Sequence, residues 1–169
     1  DGLVLQPYWN PGLGHPGPEA RGSVIGFSDQ HTRGHLYRAM LEGLAFALRD
    51  GKEQLERRNK NKLQRLRVAG GGSQSDGVMQ ILADVLQLPT ERPSTYEASG
   101  LGAAIIAAVS LGYYRSYAEA VAAMTAVSAR FEPIAANSDL YQKIYRQIYR
   151  RQYRRLRPLY SALARLRVA

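Results

Sequence analysis

Apolar residues at helical spacing first appear at Leu36, Met40, Leu44, Ala47 and Leu48. A 3.6-residue period puts these side chains on one face. Ser28 or Asp29 precedes them as a cap, able to accept bonds from the free N–H groups of a first turn. The pattern predicts a helix from Ser28 or Asp29 that frays beyond Gly51 into the charged run KEQLERRNKNK. Upstream, Ser23 to Phe27 reads as a short strand. Four of the eight prolines fall in the first 22 residues, interleaved with glycine, so that stretch is a loop.

Leu66 to Ala69 predicts a short buried strand, broken by Gly70, Gly71 and Gly72. A second helix starts near Asp76, with an apolar face of Val78 or Met79, Leu82, Val85 and Leu86. Pro89 ends it, and Thr90 to Pro93 reads as extended. Ala98 to Leu111 is apolar on most faces and rich in Ala and Gly, which predicts a thin buried helix close to a sheet, stopped by Gly112. A fourth helix spans roughly Ser116 to Ala129. The alternation of helices and strands predicts parallel α/β topology. The last segment reads as one long helix, about Ser138 to Leu166. Its stripe is Tyr141, Ile144, Tyr145, Ile148, Tyr149, Tyr153, Leu156, Leu159, Tyr160 and Leu163, and Pro158 is expected to kink it. The expected organisation is an α/β domain over residues 1–137 with a basic amphipathic helix, 138–169, packed on it.

Charge sharpens the picture of that helix. The chain carries +9, but residues 138–169 hold nine Lys or Arg and one acid, Asp139, while residues 1–137 hold 14 Lys or Arg and 13 acids. Basicity belongs to one segment, and any nucleic-acid or acidic-surface reading is confined to it. There is no cysteine, which excludes disulfides and cysteine zinc sites and favours a reduced, cytoplasmic setting. No apolar run is long enough to span a bilayer, no signal peptide is visible, and no membrane partner is expected. The first residue is Asp1 rather than Met, so the natural N-terminus is expected to lie upstream.

The sharpest local signal is LRVAGGGSQSD, Leu66 to Asp76. A strand ends, three glycines turn, and a helix begins. Glycine allows backbone angles that other residues resist and lets a ligand lie against bare main chain, and helix N-termini favour anions. Adenosine or a phosphate fits such a junction. A turn used only for close helix–sheet packing fits the pattern equally. The segment is not a P-loop, since no Gly-Lys-Ser/Thr follows. Gly70, Gly72 and Ser75 occupy the three glycine positions of a Rossmann fingerprint, and Glu91 stands at a distance suited to a ribose contact, so a dinucleotide domain remains an alternative.

Three ordered segments resemble the FGGY family of carbohydrate kinases. Gly22 to Glu42, GSVIGFSDQHTRGHLYRAMLE, is similar to the family's second signature through Gly22, Gly26, His35, Leu36, Ala39, Met40, Leu41 and Glu42, with Phe27 replacing an aliphatic residue. Ala69 to Pro89, AGGGSQSDGVMQILADVLQLP, resembles the adenosine-binding turn and its helix. Glu97 to Gly112, EASGLGAAIIAAVSLG, matches the third segment, with Gly100 where alanine is usual. The resemblance implies an actin-like, ribonuclease-H-like ATPase fold, seen here as an incomplete C-terminal domain. It implies transfer of the γ-phosphoryl of ATP to a sugar or polyol hydroxyl, with Mg²⁺. Gly71 and Ser75 carry over as nucleotide contacts, with Gly70, Gly72, Ser73 and Gln74 shaping the turn. Ser75 stands where many relatives have asparagine.

The resemblance also implies what this chain lacks. The first domain, the general-base Asp, both phosphate-binding turns and most of the sugar pocket are expected upstream. No catalytic residue is therefore assigned, and Asp76 and Asp84 read as helix-start and helix-face residues. The chain alone is expected not to phosphorylate sugar, and to need the rest of the protein or self-association to cover a short sheet with an unpaired edge.

Other constellations are weighed singly. His31 and His35 share a helical face, but no glutamate stands between them as in a zinc protease, and no metal site is assigned. His15 carries no signal. Glu42 reads as a carboxylate bonded to an arginine or main-chain group. Tyr8 and Trp9 read as loop packing. The tyrosines and arginines of the terminal helix either pack and solvate, respectively, or contact nucleic acid or an acidic membrane surface.

Overall fold

The computed structural model describes residues 2–10 and 16–166. They form two compact units. One joins the two ends of the chain, up to Asn61 and from Ile134 onward, and the other is Lys62–Pro133.

The first unit opens with β1 (Val4–Gln6) and β2 (Ser23–Ile25), paired antiparallel with Leu5 opposite Val24. Helix α1 (Arg33–Asn59) packs on β1, and Leu3, Leu5 and Ala39 form a small core with Val24, Leu36 and Met40 around it. The cap is Thr32, not Ser28 or Asp29. His35 Nδ1 accepts from the Thr32 N–H at 3.0 Å, while the Ser28 N–H donates to His31 Nδ1 at 2.8 Å in the preceding turn. Both imidazoles thus terminate main chain at the helix start. Nor does α1 fray at Gly51. Of two pairs one turn apart, Arg49–Glu53 at 3.4 Å spans the glycine and Lys52–Glu56 at 3.1 Å follows it, and Glu56 is buried. The helix ends at Lys60, which takes a left-handed φ of 55°.

The C-terminal segment is α5 (Ala135–Ile144), a π-helical stretch (Tyr145–Tyr149) and α6 (Arg150–Leu166), three residues longer at its start than the spacing predicts, with Pro158 inside α6. Tyr141, Tyr145 and Tyr149 surround Phe46 of α1, with ring centroids 5.9, 6.0 and 5.1 Å away. Tyr141 donates to Glu42 at 2.7 Å and accepts from Arg38 at 2.8 Å. Arg49 lies over the Tyr145 ring at 4.3 Å and donates to Gln142. Farther along, Gln152 donates to Ser23 Oγ at 2.9 Å, and Tyr153 and Arg157 both reach Glu19. Ile148, Leu159 and Leu163 of the predicted stripe are exposed.

The second unit carries a three-stranded sheet in the order β3 (Leu66–Arg67), β4 (Thr90–Pro93), β5 (Val127–Phe131). The β3–β4 pair is parallel, but β5 runs antiparallel to β4. The expected long fourth helix is therefore only α4 (Tyr117–Met124), and its predicted tail is a strand. Val127 to Phe131, VSARF, has the β-branched start and aromatic end of a strand, which the alanine-rich run before it obscures. β3 is shorter and less buried than expected. Helix α2 (Asp76–Leu86) supplies the core: Met79, Ile81, Leu82, Ala83, Val85 and Leu86 are all buried. Helix α3 (Ala98–Ser110) does not lie buried under a sheet as predicted. It packs on α4, and only Ile105 along it is buried. Its apolar character without burial marks a face that this unit itself does not cover.

Two predictions follow from the first unit. A Cβ at Gly43 would stand 2.5 Å from the Leu5 carbonyl oxygen, a backbone atom that cannot swing aside. Gly43→Ala should lower unfolding stability by about 1–3 kcal/mol, read as a reduced urea midpoint. Burial pushes the Tyr141 hydroxyl from 10.0 up to about 12, and Tyr145 and Tyr149 in the same direction. A pKa raised in the fold gives stability that is complete below 10 and lost as pH climbs through the folded value. The urea midpoint should hold up to about pH 10 and fall between 10 and 12; a midpoint independent of pH across that window would refute the assignment.

Candidate functional site

The glycine turn follows β3 directly. Gly70 takes φ 92°, a backbone region that favours glycine, and its N–H donates to the Tyr96 carbonyl at 3.0 Å. Gly71–Gln74 then form one 3₁₀ turn, closed by the Ser73 N–H on Gly70 O at 3.1 Å and reinforced by Ser73 Oγ on the same oxygen at 2.7 Å. Ser73 is buried, while Gly71, Gly72, Gln74 and Ser75 are exposed. Ser75 caps α2, its Oγ accepting from the Val78 N–H at 3.4 Å. The six residues singled out from the sequence therefore form one continuous junction.

Spacing gave no hint that Arg92 belongs to this junction. From β4 its Nε donates to the Ser73 carbonyl, and its Nη2 meets Asp76 Oδ1 at 2.6 Å. One guanidinium ties the turn to the first residue of α2. No local motif reveals a contact 19 residues away in sequence; only the pairing of β3 with β4 brings it there. Asp76 is thus a helix-start residue, as expected, and is ion-paired. Asp84 faces inward instead: it is buried and accepts from Gln80 at 2.8 Å.

The glycines separate by what surrounds them. A Cβ at Gly70, Gly71 or Gly72 would meet nothing within 4 Å. Close helix–sheet packing therefore does not explain them. Gly70 is explained by its angle, and Gly71 and Gly72 present bare main chain to open space. Beyond the turn, Ala69, Thr95, Ala98, Leu101 and Ile105 help line a mostly apolar hollow of about 230 Å³.

Glu91, the ribose candidate of the dinucleotide alternative, is committed elsewhere. It is buried in β4 and meets Arg67 at 3.0 Å, Arg65 at 3.8 Å and Arg130 at 4.0 Å. The Arg67 hydrogen bond, against the cost of burial, holds its carboxyl below the usual range. A cross-strand ion network and a mixed sheet replace the Rossmann arrangement. The nucleic-acid reading of the terminal helix also loses its stacking platform, because Tyr141, Tyr145, Tyr149 and Tyr160 are each at most 5% exposed. Among the described residues no group of three or more His, Cys, Asp or Glu converges, and no helix is long and apolar enough to cross a membrane. His15 lies outside the described residues.

Comparison with known proteins identifies the family of the chain. Residues 1–111 match the model of the FGGY family of carbohydrate kinases, C-terminal domain. The chain belongs to this family. It is 38% identical over 140 residues to the glycerol kinase of Pseudothermotoga lettingae, covering 81% of this chain and 26% of that protein. It is 34% identical over 144 residues to a xylulose kinase of Staphylococcus epidermidis, covering 85% and 29%. Among solved structures, the xylulose kinase from Rhodospirillum rubrum superposes with a TM-score of 0.79 at 35% identity, covering 95% of this chain and 32% of that one. The Plasmodium falciparum glycerol kinase with ADP gives 0.71 at 25% identity, covering 88% and 30%. The chain thus spans about a quarter to a third of the length of the FGGY kinases it matches, and its fold is that of an actin-like ATPase C-terminal domain.

Arg92 offers a direct test of how the FGGY turn is held. Arg92→Gln should leave the sheet intact yet speed amide exchange at Ser73 to Gly77 by about tenfold, since one charge-assisted tether is worth roughly 1–2 kcal/mol. Unchanged exchange would show that the turn holds itself.

Proposed function

We propose that this chain is the nucleotide-side C-terminal part of an ATP-dependent carbohydrate kinase, holding the adenosine portion of ATP against the junction from Gly70 to Ser75. The observation that carries the proposal is the pair of bare glycines, Gly71 and Gly72, with open space where side chains would stand. The geometry favours the nucleoside over the phosphates. Ser75 Oγ already takes the Val78 N–H, and the Arg92 guanidinium is engaged by Asp76 and the Ser73 carbonyl, so this helix start is poorly suited to a polyphosphate. A flat, largely neutral base and ribose have no such conflict.

Bound ATP supplies an electrophilic γ-phosphoryl group. In this reading Gly71 and Gly72 admit the nucleoside to within contact of the main chain, and Ser75 and Gln74 offer polar atoms at its edge. Gly70 sets the turn angle, and Ser73 with Arg92 keeps the turn closed. The acceptor is a sugar or polyol hydroxyl. The general base, most of the sugar pocket and the groups for Mg²⁺ are assigned to the rest of the kinase, with which this part would assemble. Among the described residues no cluster of acidic side chains converges, and no step is routed through the metal.

A bulky side chain at Gly71 tests the assignment without threatening the fold, because nothing crowds that position. Gly71→Leu should weaken ATP binding by at least about tenfold in titration calorimetry while the melting temperature stays constant. The complete kinase should phosphorylate a sugar or polyol, and this chain alone should not. Equal ATP affinity in the variant would remove the turn from the nucleotide site.

A further inference from the structure

The first unit contains a second, differently built hollow. It measures about 510 Å³, and its lining includes Gln6, Asp50, Arg57, Arg58, Tyr149 and Arg150. That volume suits a small metabolite. Its lining holds three arginines and one carboxylate, an excess of two positive charges. Asp50 is already engaged, accepting from Tyr145 and from Gln54, each at 3.2 Å. Arg57 is only loosely held: Glu53 is 3.9 Å away and the Arg57 side chain is 61% exposed.

The polar inventory points to an occupant. Gln6 is 1% exposed; its Nε2 donates to the Tyr149 carbonyl at 3.0 Å, and its Oε1 has no hydrogen-bond partner. The Tyr149 hydroxyl is also buried without a bond of good geometry, although Tyr8 is close enough to raise its pKa. Both atoms are closed off even from a water-sized group, so recognition of an occupant falls to the arginines. A doubly charged, planar-fork-matching anion is favoured by the arginines.

We propose that this hollow binds a small phosphate monoester, with Arg57, Arg58 and Arg150 on the phosphate. All of these residues lie in the first unit, so the proposal does not rest on the nucleotide reading of Gly70 to Ser75.

Calorimetric titration of the full chain with inorganic phosphate, 2-hydroxyethyl phosphate and ethylene glycol tests it. Both phosphates should bind saturably, and the uncharged diol not at all. The double variant Arg57→Gln/Arg58→Gln, on an exposed rim, should weaken both phosphates by about tenfold or more with the melting temperature unchanged. Arg150→Gln should do the same. ATP binding sensitive to Gly71 should be unaffected in every variant. Absence of saturable binding up to about 10 mM phosphate would overturn the proposal, as would ester binding indifferent to Arg57, Arg58 and Arg150.

Discussion

Phe46 is the fixed point of the first unit. Its ring lies among Tyr141, Tyr145 and Tyr149, and through that contact the final segment of the chain becomes a wall of the core that the first strands and α1 begin. Burying four aromatic rings adds apolar area that β1 and β2, three residues each, do not supply. The cost is the polar ends of the three tyrosines. Tyr141 settles its hydroxyl on Glu42 and Arg38, and Tyr145 on Asp50. Tyr149 has only the neighbouring Tyr8 hydroxyl, without a bond of good geometry, and the hollow beside it is what remains when the aromatic cluster is complete.

The same cluster explains two departures from the simplest reading of the sequence. Helix α1 passes through Gly51 because residues on both sides of it are anchored: Arg49 on Gln142 and Tyr145, Asp50 on the Tyr145 hydroxyl, Glu56 on Lys52. A propensity loss of about 1 kcal/mol at one glycine cannot outweigh that set. The π-helical stretch has a comparable origin. Tyrosines at strict four-residue spacing drift around a helix of 3.6 residues per turn, whereas the wider i→i+5 turn winds less per residue and offsets the drift. The repeat Tyr141, Tyr145, Tyr149, Tyr153 was visible in the sequence. That it would bend the helix geometry to itself required knowing that Phe46 stood opposite.

What local pattern could reveal, it revealed well. The boundaries of α2, β4 and α3 came within a residue or so of the structure, because a capping serine, a proline and a glycine punctuate them. The candidate nucleotide turn was legible for the same reason, as three glycines between a strand and a helix. The missed features are those fixed at long range. β5 hides behind alanines and exists because β4 offers it an edge. Arg92 reaches the turn only once β4 lies beside β3. The exposure of α3 is a property of what lies next to it rather than of its own composition, so an apolar helix was read as buried.

Glycine shows most plainly why composition alone misleads. At Gly43 the absent side chain is filled by another part of the chain: the Leu5 carbonyl stands where a Cβ would be, and helix and strand approach one another as a result. At Gly71 and Gly72 the absent side chain is filled by nothing within 4 Å. Neither of these has a left-handed angle that would by itself demand glycine; among the three, only Gly70 does. Bare main chain that neither packs nor turns the backbone exposes peptide groups to water and loses more entropy on folding than alanine would. In the first case packing returns that cost within the unit. In the second nothing within the unit returns it, and that open space is what the proposed nucleoside would use.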